Sequence, residues 1–116
     1  MRIDIRSRGL KNKNDQAAKD RVTHRLHFAL GRFVNKIARV YVTLEDVNGP
    51  RGGQDKRCRL RLVFANGGAP LLAEDTDAQL FVAIDRAALR LSRNVGRAVN
   101  RAGRPSRLTL SLTRKP

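Results

Sequence analysis

The stretch from Thr76 to Gly103 constrains the fold most strongly, because apolar and basic residues recur along it at helical spacing. Thr76 and Gln79 have the spacing of a capping box, in which a hydroxyl and an amide satisfy free N–H groups of the first turn. Six apolar residues share one helical face: Leu80, Ile84, Ala87, Leu91, Val95 and Ala98. Five arginines share the opposite face: Arg86, Arg90, Arg93, Arg97 and Arg101. The pattern predicts one long amphipathic helix that begins at Thr76.

The arginine face of this helix has no acidic counterpart in the nearby sequence. Opposite charges four residues apart stabilise a helix and like charges oppose it, yet no acid follows Asp85 among the nine basic residues from Arg86 to Lys115. The whole chain has 25 Lys and Arg against 10 Asp and Glu, a formal net charge of +15. This self-repulsion indicates a polyanionic partner, because arginine binds phosphate through two parallel hydrogen bonds. The alternative interpretation is a solvated face without a ligand.

A second helix is predicted from Asp15 to about Val34. Its apolar stripe consists of Ala18, Val22, Leu26, Ala29, Leu30 and Phe33. A neighbouring stripe repeats the spacing of the arginine face: Arg21, Arg25, Phe28 and Arg32. If both helices cover one face of a sheet, these basic stripes can form one patch. Phe28 has two interpretations, a platform for a base or ribose or, the preferred one, a side chain that laps the edge of the core.

Four segments alternate between apolar and polar residues with the period of a strand: Met1–Ser7, Ile37–Val47, Lys56–Phe64 and Pro70–Glu74. Asn66-Gly67-Gly68 is a hairpin turn that needs positive φ. The predicted fold class is α+β, in the order β-α-β-β-β-α, with a four-stranded, mostly antiparallel sheet and two helices packed on one face. The uncovered face should carry Arg2, Arg6, Arg39, Arg57, Arg59 and Arg61. Residues 1–103 form one domain, and 104–116 are a basic tail or an added edge strand.

No residue pattern indicates catalysis, a metal or a cofactor. Cys58 is the only cysteine, so neither an internal disulfide nor a thiolate metal site is expected. His24 and His27 have a spacing that can hold a metal, but no third ligand accompanies them. The loop from Gly49 to Gly53 lacks the Gly-Lys-Ser/Thr ending of a nucleotide-binding loop. A membrane-bound helix would need exposed aromatic residues, whereas the chain has no Trp and 4% aromatic residues. We therefore expect a cytoplasmic protein that is not an enzyme.

Two segments resemble a known family. The stretch from Asp46 to Arg59, Asp-Val-Asn-Gly-Pro-Arg-Gly-Gly-Gln-Asp-Lys-Arg-Cys-Arg, is similar to the central hairpin of the ribosome hibernation promoting factors, also called ribosome-associated inhibitors or sigma-54 modulation proteins. Ala83-Ile84-Asp85-Arg86-Ala87, with Leu91 and regular basic positions after it, resembles the second helix of that family. Together with the element order, the resemblance covers about residues 1 to 101.

The resemblance implies a small factor that binds the small ribosomal subunit in the channel for mRNA and tRNA and keeps the ribosome idle under stress or in stationary phase. By position, contacts with ribosomal RNA would fall on Arg21, Arg25, Arg86, Arg90, Arg93 and Arg97, with Lys56 and Arg57 beside the hairpin. Arg32 and Arg101 extend the same two stripes. The factor would be a monomer off the ribosome, without a cofactor or a small-molecule substrate. Some short members of the family end in an acidic tail, whereas residues 104–116 of this chain are basic. Whether the factor promotes or opposes ribosome dimerisation is therefore left open.

Two other functions are weighed against this one. The first is another RNA-binding protein, such as a ribosomal protein or a double-stranded-RNA-binding module. The second is a basic enzyme acting on RNA, for which the sequence offers no convincing set of catalytic residues. An RNA-recognition sheet with paired aromatic residues is disfavoured, because only Tyr41 is available on the uncovered face.

Overall fold

The computed structural model describes residues 1–9, 15–47 and 56–103. Four strands and two helices follow one another in the predicted order: β1 (Arg2–Arg8), α1 (Asp15–Leu30), β2 (Ile37–Asp46), β3 (Lys56–Phe64), β4 (Leu71–Asp77) and α2 (Leu80–Gly103). A 3-10 helix (Gly31–Lys36) joins α1 to β2. The α+β fold with a mostly antiparallel sheet is confirmed.

The strands lie in the sheet in the order β1-β2-β3-β4. β1 is parallel to β2, and the other neighbouring pairs are antiparallel. A parallel pair needs a crossover connection, which α1 provides. The register places Asp4, Tyr41, Arg61 and Leu72 in one row across the four strands. This row lies on the face that the helices leave uncovered.

One hydrophobic core joins both helices to a single face of the sheet. Alternate residues of the central strands are buried: Val40, Val42 and Leu44 of β2, and Cys58, Leu60 and Leu62 of β3. The helices contribute residues at three- and four-residue spacing: Val22, Leu26 and Leu30 of α1, and Ile84, Ala87, Leu91 and Val95 of α2. The period changes from two to 3.6 where the sequence predicts, and most of the expected core is buried. Six residues predicted to face the core are only half-buried: Ile3, Ile5, Ala29, Phe64, Leu80 and Ala98.

The end of α1 differs from the prediction. The helix ends at Leu30 rather than near Val34, and the chain continues as the 3-10 helix from Gly31. Glycine is a poor helix former, and 3-10 winding is common at the end of an α-helix. The tighter winding still places Phe33 in the core, where it is 8% exposed.

The predicted start of α2 at Thr76 is wrong. Thr76 belongs to β4, where it pairs with Arg57, and the strand is longer than the predicted Pro70–Glu74. The helix begins at Leu80, and the free N–H of Gln79 is bound by the carboxylate of Asp77 at 2.9 Å. An Asp side chain therefore has the role that the sequence assigned to the threonine hydroxyl.

The hairpin turn between β3 and β4 is confirmed. Gly67 has a φ of +83°, and the N–H of Gly68 donates to Asn66 Oδ1 at 2.9 Å. The prediction for residues 104–116 lies outside the described part of the chain, as does the whole loop from Gly49 to Gly53.

Candidate nucleic-acid interface

The arginine stripe of α2 lies on the solvent side of the helix, as the periodicity predicts. All five members are exposed: Arg86, Arg90, Arg93, Arg97 and Arg101. The opposite side of the same helix is buried from Ala83 to Val95. Helical spacing alone therefore separates the packing residues from the cationic ones.

A groove between α1 and α2 brings the two basic stripes together. One wall carries Arg25, Phe28 and Arg32, and the other carries Arg93 and Arg97. The groove encloses about 790 Å³. The expectation that the stripes can lie side by side is confirmed for these residues.

An acidic residue in the groove neutralises part of the α1 stripe. Arg21 donates to both carboxylate oxygens of Asp85, from Nε at 3.0 Å and from Nη2 at 2.7 Å. Arg25 Nε lies 3.0 Å from Asp85 Oδ1 as an ion pair without hydrogen-bond geometry. Partial burial raises the pKa of Asp85, but the hydrogen bond from Arg21 and the charges of Arg21 and Arg25 outweigh it and hold the pKa below its usual value.

Two arginines of α2 are anchored to the end of β4. Arg90 donates to the backbone oxygen of Glu74 at 2.9 Å and to Asp75 Oδ2 at 3.2 Å. Arg86 Nη1 lies 3.3 Å from Asp77 Oδ1. The side chain of Arg86 is 56% exposed and that of Arg90 is 58% exposed, so both still face solvent. The sequence predicted that this stripe is unopposed, which is wrong for these two residues because the strand before the helix supplies the acids.

The other arginines of the two stripes have no acidic partner among residues 1–9, 15–47 and 56–103. Arg97 donates to the amide oxygen of Asn94, and the guanidinium of Arg32 lies 4.8 Å from the ring centroid of Phe33. Arg93 and Arg101 are exposed. Arg32, Arg93 and Arg97, all in the groove, and Arg101 beyond it therefore carry the charge that remains for a ligand.

Lys56 and Arg57 lie outside the groove, at the base of the β2–β3 hairpin. Lys56 Nζ is 3.3 Å from Asp46 Oδ2, and Arg57 Nη2 is 2.6 Å from Glu45 Oε1. Both cations are engaged in cross-strand ion pairs. Lys56 pairs across the sheet with Asp77, the acid that Arg86 contacts, so it lies near the first turn of α2. Neither Lys56 nor Arg57 lines the groove with the other helix arginines.

Phe28 and Leu89 add exposed apolar surface to the groove. Phe28 is 79% exposed and Leu89 is 49% exposed. The preferred interpretation of Phe28 as a residue that laps the core is therefore wrong. Leu89 and Asp85 were not recognised as site residues from the sequence, although Asp85 is the only acid in α2, a signal that could have been used.

The described ranges hold neither a candidate metal cluster nor a candidate membrane-spanning helix. No group of three or more His, Cys, Asp or Glu there is arranged to hold a metal ion. None of the helices in those ranges combines the length and hydropathy needed to cross a membrane.

Comparison with known proteins identifies the family. The family model for sigma 54 modulation protein / S30EA ribosomal protein matches residues 3–102. The chain belongs to this ribosome-associated family, as its hairpin and second helix indicated.

Solved structures agree with this assignment. The N-terminal domain of Thermus thermophilus Protein Y is 27% identical with a TM-score of 0.67, over 84% of this chain and 99% of that one. A ribosomal subunit interface protein from Coxiella burnetii shares the fold, with a TM-score of 0.71 at 12% identity, over 86% of this chain and 99% of that one. The comparison with curated proteins found no match.

Proposed function

We propose that this chain is a ribosome hibernation factor that binds the small ribosomal subunit through its basic helix faces, occupies the mRNA/tRNA channel and inhibits translation. The observation that carries the proposal is the groove between α1 and α2, where Arg32, Arg93 and Arg97 converge without acidic partners among the described residues. A ribosome-associated family gives this cationic groove a specific polyanion, the ribosomal RNA.

The charges of the groove divide into two roles. Arg32, Arg93, Arg97 and Arg101 contact phosphates directly, because no acid in the described structure competes for them. Arg21 and Arg25 hold α1 against α2 through Asp85. They therefore position the walls of the groove, and their partly neutralised charges attract RNA more weakly. Arg86 and Arg90 bind phosphate with the exposed part of their guanidinium groups, while Lys56 and Arg57 contact RNA beside the hairpin.

Inhibition by occupancy requires only a rigid shape and phosphate contacts. Contacts from arginine and lysine give affinity with little sequence specificity, and folded RNA is recognised largely by its shape. A domain held in the channel excludes mRNA and tRNA without a catalytic group, a cofactor or a metal. The proposed site of action is the cytoplasm, in stationary phase or under stress.

Co-sedimentation of the purified protein with small subunits, large subunits and whole ribosomes tests this proposal, together with an in vitro translation assay. We expect binding to small subunits and whole ribosomes, arrest of translation, and competition by prebound mRNA and tRNA. The variant Arg93→Ala/Arg97→Ala should bind ribosomes more weakly. Arg8→Ala/Lys36→Ala, which removes the same charge from two exposed positions outside the groove, should bind as the parent protein does.

A second RNA-binding function would give a different pattern. A structural ribosomal protein would stay with subunits in growing cells, whereas a hibernation factor joins them under stress. Tight binding to free RNA without binding to ribosomes would overturn the hibernation proposal and leave the groove as an RNA site of another protein class.

A further inference from the structure

The uncovered face of the sheet carries a second candidate site, built around Tyr41. A concave surface of about 700 Å³ lies there, a size typical of ligand sites. Strands β2, β3 and β4 line this surface together with Arg90 of α2; the lining residues are Tyr41, Thr43, Arg59, Arg61, Leu72, Ala73, Glu74 and Arg90. The sheet separates this surface, called the Tyr41 face below, from the groove between the helices.

The Tyr41 face and its surroundings have an excess of positive charge. Three arginines are paired with acids on the same face: Arg39 with Asp4 at 3.2 Å, Arg57 with Glu45 at 2.6 Å, and Arg59 with Glu74 at 3.0 Å. Arg2, Arg6 and Arg61 make no ion pair with a residue that the structure describes. Arg61 lies inside the concave surface, and Arg2 and Arg6 lie on the neighbouring edge strand. An anionic ligand is therefore complementary to this face.

Flat groups surround the uncompensated charge. The guanidinium groups of Arg39 and Arg61 each lie 5.5 Å from the ring centroid of Tyr41, and Arg39 Nη1 is 3.2 Å from Tyr41 Oη, which fixes the ring. Leu72, next to Arg61 in the same row, is 65% exposed. Aromatic rings and guanidinium planes are the groups on which unpaired bases stack. A ligand that offered only phosphate groups would not need the Tyr41 ring, the guanidinium plane of Arg61 or the exposed side chain of Leu72.

We propose that the Tyr41 face binds single-stranded RNA, with one unpaired base stacked on the Tyr41–Arg61 pair beside Leu72 and the adjoining phosphates on Arg2 and Arg6. Because the groove lies on the other side of the sheet, the protein contacts two RNA segments at once. This adds a base-stacking contact to the phosphate contacts of the helices. An acidic protein segment would match the charge but not the stacking surface, and it is distinguished by the experiment below.

The single tyrosine makes the site directly observable. Tyr41 is the only tyrosine in the chain, so the full-length protein labelled with fluorotyrosine has one fluorine resonance. The probes are hexauridylate, an abasic phosphodiester of the same length, and a hexaglutamate peptide. Titrations use the Arg93→Ala/Arg97→Ala background, which weakens binding of the probes in the groove. Anisotropy of the labelled probes measures affinity in parallel.

We expect hexauridylate to shift the resonance, whereas the abasic chain and hexaglutamate leave it unchanged at equal occupancy. Tyr41→Ala and Arg61→Ala should each weaken hexauridylate binding about fivefold or more. Tyr41→Phe, which keeps the ring, should stay within about twofold. Lys36→Ala removes one exposed charge outside the face and should also have little effect. Thermal unfolding of each variant confirms that its fold is intact.

Three results would overturn the proposal. Hexauridylate fails to bind in this background, it binds without moving the resonance, or the abasic chain or the peptide moves the resonance as much as RNA does. The last result would make the face an anion or acidic-peptide site. None of these results bears on ribosome binding through the groove, which the sedimentation experiment measures separately.

Discussion

Arg21 Nη2 lies 2.7 Å from Asp85 Oδ2, an ion pair between residues 64 positions apart in the chain that joins α1 to α2. Arg25 approaches the same carboxylate. One acid thus holds two cations between the helices, while the other arginines of the groove remain available. This junction links the two helices that form the groove.

Asp85→Asn should destabilise the protein by about 1 kcal/mol at most, because the pair is about one third exposed and solvent screens it. The pKa of Asp85 is lowered in the folded state, so its contribution is present above the unfolded pKa of about 4 and is lost as pH falls through the folded pKa. Urea unfolding at pH 7 and at pH 3 measures both effects. The variant should differ from the parent at pH 7 and converge with it in acid. Asp20→Asn, at an exposed position on α1, is the control, and an equal loss there would contradict the assigned role.

Arg93→Ala/Arg97→Ala should reduce the salt dependence of ribosome binding. Each lost phosphate contact lowers the slope of log K against log salt by roughly 0.7 to 0.9, so the double variant should lose about twice that. Stability should change little, because neither residue has an acidic partner in the described structure. Binding measured from low to moderate salt gives the slopes. An unchanged slope with an intact fold would exclude these arginines as phosphate contacts.

Comparing Arg86→Ala/Arg90→Ala with Arg93→Ala/Arg97→Ala separates the arginines that are anchored to β4 from those that have no acidic partner in the described structure. The side chains of Arg86 and Arg90 bind Asp75, Asp77 and the backbone of β4, so their removal should lower the melting temperature as well as the affinity. A melting temperature equal to that of Arg93→Ala/Arg97→Ala would contradict the anchoring role.

Phe28→Ala should weaken RNA binding about fivefold or more if a base stacks in the groove, without loss of stability. The side chain is 79% exposed, so the expected change in unfolding free energy is within about 0.5 kcal/mol. Phe33→Ala removes a buried ring and should cost about 3 to 5 kcal/mol. Unfolding and small-subunit binding are measured for both. Wild-type affinity of Phe28→Ala would show that the groove contacts phosphates alone.

The thiol of Cys58 should be unreactive in the folded protein. Burial, followed by the nearby charge of Asp75, raises the pKa of Cys58 to about 12, and the thiolate is the reactive form. A colorimetric thiol reagent at pH 8 should therefore label the protein only in denaturant. Rapid labelling of the native state would show that α2 opens away from β3.

Gly96→Ala should raise the unfolding free energy by about 0.5 to 1 kcal/mol, because alanine favours a helix interior. A Cβ at this position would meet Phe33 at 3.9 Å, an ordinary contact. Gly67→Ala is the opposite case, since a φ of +83° costs a side-chain-bearing residue about 1 to 2 kcal/mol. Denaturant unfolding of the two variants should show shifts of opposite sign.

The parts of the fold that depend on local periodicity were predictable. The stripes of α1 and α2 and the alternation of β2 and β3 repeat within one element, so the sequence shows which face is buried. The start of α2 was not predictable in this way. Thr76 has the local signature of a cap, but its pairing with Arg57 across the sheet competes with that signature, and the pairing depends on residues far away in the chain.

The residues of the groove also divide into those that the sequence predicts and those that it does not. The arginines could be predicted one by one, but their partners could not, because Arg21 and Asp85 meet only when the helices pack. Phe28 lies at the margin of its helix face, and its exposure depends on how closely α2 approaches. Long-range packing thus decides which of the predicted cations remain available for a ligand.

The hydrogen bond from Arg90 to the backbone oxygen of Glu74 also affects self-association. β4 is an outer strand of the sheet, and an uncovered outer strand invites pairing with another copy. The Arg90 guanidinium covers part of this edge, while the opposite edge strand carries Arg2, Arg6 and Arg8, which repel a second copy. Both ends of the sheet therefore disfavour strand-to-strand aggregation.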